Sequence, residues 1–213
     1  MISAIILAAG ESSRMGRPKA LLQWRGKPFI EHVCDALRRA GVKDRVAVLG
    51  RASHEILAGW VPAGEKVTVN ANPEHGQLSS LRAGLKDISE FSEGFMVCLA
   101  DQPTIDPDTY EKVIDSWLSN KDSIVIPRAF RASDSRLKRG HPILIPAAHK
   151  QLCFEGPPEK GLHWVTHHPS VKIFDLEVKD TEIIRDFDTP EQYEQLRTSD
   201  VKESGDKNDQ GHR

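Results

Sequence analysis

Short apolar runs alternate with amphipathic segments through the first 130 residues, and this alternation constrains the fold more than any other feature. The runs 2–7, 46–50, 66–70, 95–100 and 123–127 read as strands. Between the first two, the stretch 29–40 places Ile30, Val33, Cys34, Leu37 and Ala40 on one helical face, and Gly41 ends it. The stretches 55–60 and 78–88 also read as helices. Asp106 and Pro107 open another, with Asp106 as N-cap and Pro107 at the first helical position. Strands separated by helices predict a mostly parallel sheet covered on both faces. The expected class is α/β, a Rossmann-like three-layer sandwich. Ligands of such sheets sit at the carboxyl ends of the strands. The turns after Leu7 and after Ala100 are therefore expected to converge.

The first of those turns has an unusual composition. It reads Leu7-Ala8-Ala9-Gly10-Glu11-Ser12-Ser13-Arg14-Met15-Gly16-Arg17-Pro18-Lys19. Small residues at 8–10 allow backbone to approach a bulky group, and Ser12 and Ser13 can donate hydrogen bonds. Between residues 9 and 27 stand Arg14, Arg17, Lys19, Arg25 and Lys27 against a single acid, Glu11. A strand that opens into a cationic, glycine-bearing loop is suited to a triphosphate. The loop lacks the Gly-Lys-Ser/Thr ending of a Walker loop and the Gly-x-Gly-x-x-Gly of a dinucleotide site. The plain alternative is a basic surface turn after a core strand.

This loop resembles the signature of the nucleotidyltransferases related to the molybdenum-cofactor enzymes, and is most similar to the molybdenum cofactor cytidylyltransferases. The resemblance implies a fold of the nucleotide-diphospho-sugar transferase type. It implies that Leu7, Ala8, Ala9, Gly10, Ser12 and Ser13 line the nucleotide site, with Arg14 and Lys19 on the phosphates.

Three later stretches extend it. Leu99-Ala100-Asp101-Gln102-Pro103 ends an apolar strand on a carboxylate, which is costly unless a cation meets it. The resemblance makes Asp101 a ligand of Mg²⁺; the plain alternative is a cap of the next turn. Arg185-Asp186-Phe187-Asp188-Thr189-Pro190-Glu191 offers a second carboxylate. Asp188 is favoured over Asp186, against the plain alternative that Asp188 caps a helix. Asn72-Pro73-Glu74-His75-Gly76-Gln77-Leu78-Ser79-Ser80 matches a third signature, which assigns Asn72, Gly76, Ser79 and Ser80 to the base or ribose. Helix capping by either serine is the alternative. Arg139-Gly140-His141-Pro142 matches a fourth, assigning Gly140 and His141 to the acceptor side. The pattern is broken at Glu159-Lys160-Gly161-Leu162-His163, where the family has Gly-Asp-x-Gly-x-Arg and the acceptor is expected.

Composition excludes several classes. A net charge of −2 argues against a general nucleic-acid binder. Cys34, Cys98 and Cys153 lack zinc spacing and read as reduced thiols of a cytoplasmic protein. No leader and no membrane span is read. The stretch 128–140 reads as a polar, basic loop, 141–146 and 171–178 as extended, and 159–166 and 190–196 as short helices. The histidines at 163, 167 and 168 are read as structural. One domain is expected over 1–197, with 198–213 as a disordered tail.

The activity implied is transfer of a nucleoside monophosphate to a phosphorylated acceptor with release of pyrophosphate. Leu-Ala-Ala-Gly, rather than Leu-Ala-Gly-Gly, favours CTP by resemblance. The acceptor implied is molybdenum cofactor, with a molybdoenzyme or its chaperone as a further partner. Three rivals stand beside it: transfer to a sugar phosphate, a silent nucleotide- or cofactor-binding chaperone, and a nicotinamide oxidoreductase. The last lacks the glycine fingerprint.

Overall fold

The computed structural model describes residues 1–10, 12 and 15–206. Its elements are, in order, β1 (Ile2–Ala8), β2 (Gln23–Trp24), β3 (Lys27–Pro28), α1 (Phe29–Arg39), β4 (Asp44–Leu49), α2 (Ser53–Gly59) and β5 (Lys66–Val69). Then come α3 (Gln77–Leu85), β6 (Gly94–Leu99), α4 (Pro107–Ser119), β7 (Ser123–Arg131), β8 (Arg136–Arg139) and β9 (Ile143–Pro146). The chain closes with α5 (Lys150–Glu155), α6 (Gly161–Thr166), β10 (Lys172–Glu177) and α7 (Pro190–Asp206).

The main sheet has the order β10-β7-β9-β6-β1-β4-β5, with β8 paired to β7. β1 runs parallel to both β4 and β6, β4 to β5, and β7 to β10. β9 is inserted antiparallel between β6 and β7. The mostly parallel sheet is therefore as expected.

Residue alternation along β1 explains the layers. Ala4 and Ile6 face one core, shared with α1 and α4, while Ile5 and Leu7 face the other, shared with α3, α5 and α6. A fully buried strand needs no polar face, so the runs of β1, β4 and β6 are nearly all apolar, whereas β5 at the sheet edge alternates Lys66, Val67, Thr68 and Val69 and stays largely exposed. Asp106 caps α4 by accepting from the Asp108 N–H at 2.9 Å, as its sequence predicts.

One expected loop is a hairpin. The stretch 128–140 extends β7 to Arg131 and returns as β8. All four residues of β8 are exposed, so the strand carries Arg136, Leu137, Lys138 and Arg139 instead of an apolar run. Polarity masked it because pairing, not burial, holds it. The last helix runs to Asp206, past the expected end at residue 196. The rest of the expected tail, 207–213, lies outside the described residues. Among the described residues no helix is long and apolar enough to cross a membrane.

Candidate active site

β1 and β6 are adjacent and parallel, so the loops leaving their carboxyl ends open side by side. A cleft of about 450 Å³ lies there. Leu7, Ala8, Ala9, Gly10 and Ser12 line one wall, and Lys19, Asp101 and Asp188 stand together. Gly76 and Ser80 complete it, with Met15, Pro73 and Gln77 as lining residues that the motifs did not single out. A Cβ placed on Gly10 would meet no atom of the described residues within 4 Å, which leaves room for a ligand to pack closely on the backbone there. Ser13 and Arg14 lie outside the described residues.

Lys19 sits at the centre of the charged end. Its Nζ donates to Asp101 Oδ2 at 3.0 Å and to Asp188 Oδ1 at 2.5 Å. Burial pulls the ammonium's affinity for its proton down. The hydrogen bond to Asp188 and the charge of Asp101 outweigh that, and its pKa is raised. The Lys19 N–H donates to Ser12 Oγ at 3.0 Å, so the hydroxyl fixes where the loop delivers the lysine.

Asp188 does not cap the last helix, because its neighbours do. Thr189 Oγ1 accepts from the Gln192 N–H at 3.4 Å, and Gln192 Oε1 accepts from the N–H of Thr189 at 3.0 Å and of Asp188 at 2.7 Å. This reciprocal cap, with Pro190 at the first helical position, relieves Asp188 of the role. Phe187 is fully buried and meets Phe29 edge-on at 5.6 Å. It anchors the segment, and Asp188 beside it lines the cleft.

Gln102 is a positioning residue missed from the sequence. Buried just after Asp101, it donates through Nε2 to the carbonyls of Arg185 at 3.2 Å and Ile183 at 3.4 Å. It ties the strand that carries Asp101 to the segment that carries Asp188. Asp186 lies beside them but outside the cleft lining. Crowding by protein raises its pKa, Lys138 pulls it back, and the charges of Asp188 and Asp101 raise it further.

The turn before α3 forms the neutral end. Asn70 Nδ2 donates to Ser79 Oγ at 2.9 Å and Ser80 Oγ at 3.0 Å. Ser79 is spent on this turn, donating to the carbonyls of Gly76 at 2.8 Å and Asn72 at 3.1 Å. Asn72 is exposed and outside the cleft lining, whereas Ser80 is inside it. One residue along a helix turns a side chain by about 100°, which separates the two serines. Gly76 has φ +84°, which a side chain would strain. Asn70, at the end of β5, is the second residue that the motifs missed. A polar side chain directly after a strand was its signal.

Gly140 and His141 lie beside the charged end, outside the cleft lining. A Cβ on Gly140 would stand 2.1 Å from the Ile183 carbonyl oxygen, so glycine is required for packing there. The His141 N–H donates to the same carbonyl at 3.2 Å. The His141 ring is held neutral: burial lowers its pKa to about 4, against the raising charge of Asp101. Its buried Nε2 has no partner among the described residues. Arg139 is engaged elsewhere, through two bonds to Asp175 at 2.6 and 2.9 Å.

The stretch that departs from the family pattern forms a second cavity of about 570 Å³, lined by 158–161 and 74–77. It adjoins the neutral end through Gly76 and Gln77, which line both cavities. The His163 and His167 rings stack at 3.7 Å. Among the described residues no group of three His, Cys, Asp or Glu side chains could hold a metal. Two carboxylate oxygens that converge on one cation are nevertheless what a hard ion needs when phosphates supply the remaining ligands.

A family model for the MobA-like NTP transferase domain matches residues 4–168. The chain belongs to the MobA-like NTP transferase family. Among the relatives of this MobA-like protein is nicotine blue oxidoreductase of Paenarthrobacter nicotinovorans, 31% identical over 68% of this chain and 71% of that protein. A probable molybdenum cofactor guanylyltransferase of Bacillus cereus is 30% identical over 58% of this chain and 60% of its own. The bifunctional protein GlmU of Sorangium cellulosum is 33% identical over 50% of this chain, but the match covers only 24% of GlmU. The crystal structure of Rv0371c from Mycobacterium tuberculosis superposes with a TM-score of 0.80 at 28% identity, covering 92% of this chain and 96% of that one. Rv0371c has also been crystallised in complex with manganese. The three-layer nucleotidyltransferase fold thus agrees with the sequence reading. Asp188 lies beyond the matched residues, so the cleft draws a wall from outside the family model.

Proposed function

We propose that this MobA-like nucleotidyltransferase transfers CMP from CTP to the phosphate of molybdenum cofactor. The observation that carries the reading is the meeting of Lys19, Asp101 and Asp188 at the charged end of a cleft whose other end is neutral. An oxygen of the acceptor phosphate attacks the α-phosphorus. The bond from the α-phosphorus to the bridging oxygen breaks, and pyrophosphate leaves with the electron pair. A phosphate monoester loses its second proton near pH 6, so it is a ready nucleophile at neutral pH and needs no general base. The protein's work is positioning and charge neutralisation. Lys19 holds the β- and γ-phosphates and steadies the leaving pyrophosphate, joined by Arg14 from the same loop. Asp101 and Asp188 would hold Mg²⁺, with Asp186 as reserve, and the ion supplies Lewis-acid neutralisation of phosphate charge. Ser80 and the backbone of 7–10 take the nucleoside, and Gly140 and His141 shape the acceptor side from behind the cleft wall.

Two features support the choice of substrates. The Ala9 methyl narrows the nucleoside wall, and the Ala9 backbone is packed closely on Gly50, where a Cβ would stand 2.6 Å from the Ala9 carbonyl oxygen. A narrow wall suits a pyrimidine. The guanylyltransferase relative supports molybdenum cofactor as acceptor. A second reading, oxidoreduction, is favoured by the nicotine blue oxidoreductase relative. The test presents each nucleoside triphosphate with Mg²⁺, with and without molybdenum cofactor, and scores pyrophosphate. A parallel arm scores NAD(P)H oxidation. Pyrophosphate release from CTP that requires molybdenum cofactor is expected. Release from GTP alone corrects the base, release only with a sugar phosphate corrects the acceptor, and NAD(P)H oxidation without pyrophosphate overturns the reading.

A further inference from the structure

The β7–β8 hairpin packs against the turn at 181–184 that leads to Asp186 and Asp188, and its basic residues are unequally employed. Arg131 pairs with Asp134, Arg139 with Asp175, and Arg128 with Glu177 at 3.6 Å. Lys138 makes no ion pair or hydrogen bond among the described residues, and its charge draws the Asp186 pKa down. Its place follows from register. Lys138 stands directly opposite Ala129, so both point to the same side of the sheet. Ala129 packs in the core that also contains Ile183. The chain just after Lys138 is laced to Ile183 by the His141 N–H and by the close packing of Gly140. The strand that carries Lys138 therefore runs beside the segment that carries Asp186 and Asp188.

Charge gives this placement a purpose. Asp101, Asp186 and Asp188 gather at this end, and Lys19 is committed to two of them. With a nucleoside triphosphate in the cleft adding its own negative charge, an acceptor phosphate, a dianion at neutral pH, would meet net negative charge as it approached from the hairpin side. A flexible ammonium at the rim reverses the local sign where the dianion enters. We propose that Lys138 captures the phosphate of the acceptor at the mouth of the cleft and sets the preference for phosphorylated acceptors. The inference rests on the transferase reading above.

The experiment measures initial rates for the native chain, Lys138→Met and Lys138→Arg. The acceptor is whichever of molybdenum cofactor, a sugar 1-phosphate and a polyol phosphate the native chain uses best. Lys138→Met is expected to raise the acceptor KM about tenfold to a hundredfold, as loss of a charge-assisted hydrogen bond does. The KM for the nucleoside triphosphate and the thermal midpoint should not move. Lys138→Arg should restore most of the acceptor affinity, and salt should weaken acceptor use in the native chain more than in Lys138→Met. An unchanged acceptor KM, an equal rise in both KM values, or an Arg variant no better than Met overturns the proposal while leaving the transferase reading intact. A native chain that releases pyrophosphate with none of the three acceptors removes both.

Discussion

Two ion-pair clusters in this molecule use similar side chains to opposite ends. Away from the cleft, Glu65 accepts from Arg45 at 2.7 Å and Arg38 at 3.1 Å through one oxygen, and from the Ala63 N–H at 2.7 Å through the other. The Glu65 side chain is fully buried and both its oxygens are engaged. In the cleft, the Lys19 ammonium also joins two acids, but Asp101 and Asp188 keep 32% and 42% of their side-chain surface in solvent. A closed cluster locks its neighbourhood, whereas an open one can exchange partners with a ligand. The difference lies in how much of each carboxylate solvent can reach, not in which residue types are present.

The sharpest way to break that contrast is Glu65→Gln. It leaves Arg45 buried without its counter-charge, which should cost about 3–5 kcal/mol in denaturant unfolding. Nucleotidyl transfer per folded molecule should persist. The pH dependence has a definite sign. Burial raises the Glu65 pKa, but the Arg45 hydrogen bond and the Ala63 N–H outweigh it and hold it below the usual carboxylate range. A depressed folded-state pKa gives stability that is complete above the unfolded value of about 4.3 and is lost as pH falls through the folded one. The gap between native chain and variant should therefore close below about pH 4. A gap that widened in acid would contradict the closed-cluster description.

Lys19→Ala should give the mirror image. Removing a preorganised cation costs about 10²-fold or more in turnover, while the unfolding midpoint moves little, since the lysine packs no core. Turnover near that of the native chain refutes the assignment of Lys19. Next in size is Gln192→Ala, which removes half of the cap on α7. It should lower stability by about 1 kcal/mol and reduce turnover a few-fold, because Asp188 loses the bond that fixes its backbone. The smallest effect is expected for Asp186→Asn. If Asp188 is the metal-holding acid, Asp188→Asn should exceed it by about tenfold in lost turnover; the reverse order exchanges their roles.

The sheet was legible because its central strands are buried on both faces and have to be apolar. The β7–β8 hairpin was hidden for the opposite reason, since a strand that buries nothing leaves no hydropathy signal. At the site, residue type indicated Lys19 and Asp101 correctly as neighbours, because both follow strands that parallel pairing places side by side. Whether Asp188 caps α7 was harder to read. The answer lay one residue on, in the Thr-Pro-Glu-Gln pattern that lets Thr189 and Gln192 cap α7. Lys138 could not be read at all, because its placement depends on the packing of Gly140 against Ile183.

That packing has a consequence for how the protein comes into being. The Ile183 carbonyl is the keystone between the hairpin and the segment that delivers Asp188. A nascent chain that has emerged only as far as residue 168 already owns most of the sheet and the whole glycine loop, but only half a vise. Competence arrives with the final stretch of translation, and a protease that trims back past Ile183 would disarm the molecule while sparing most of its architecture.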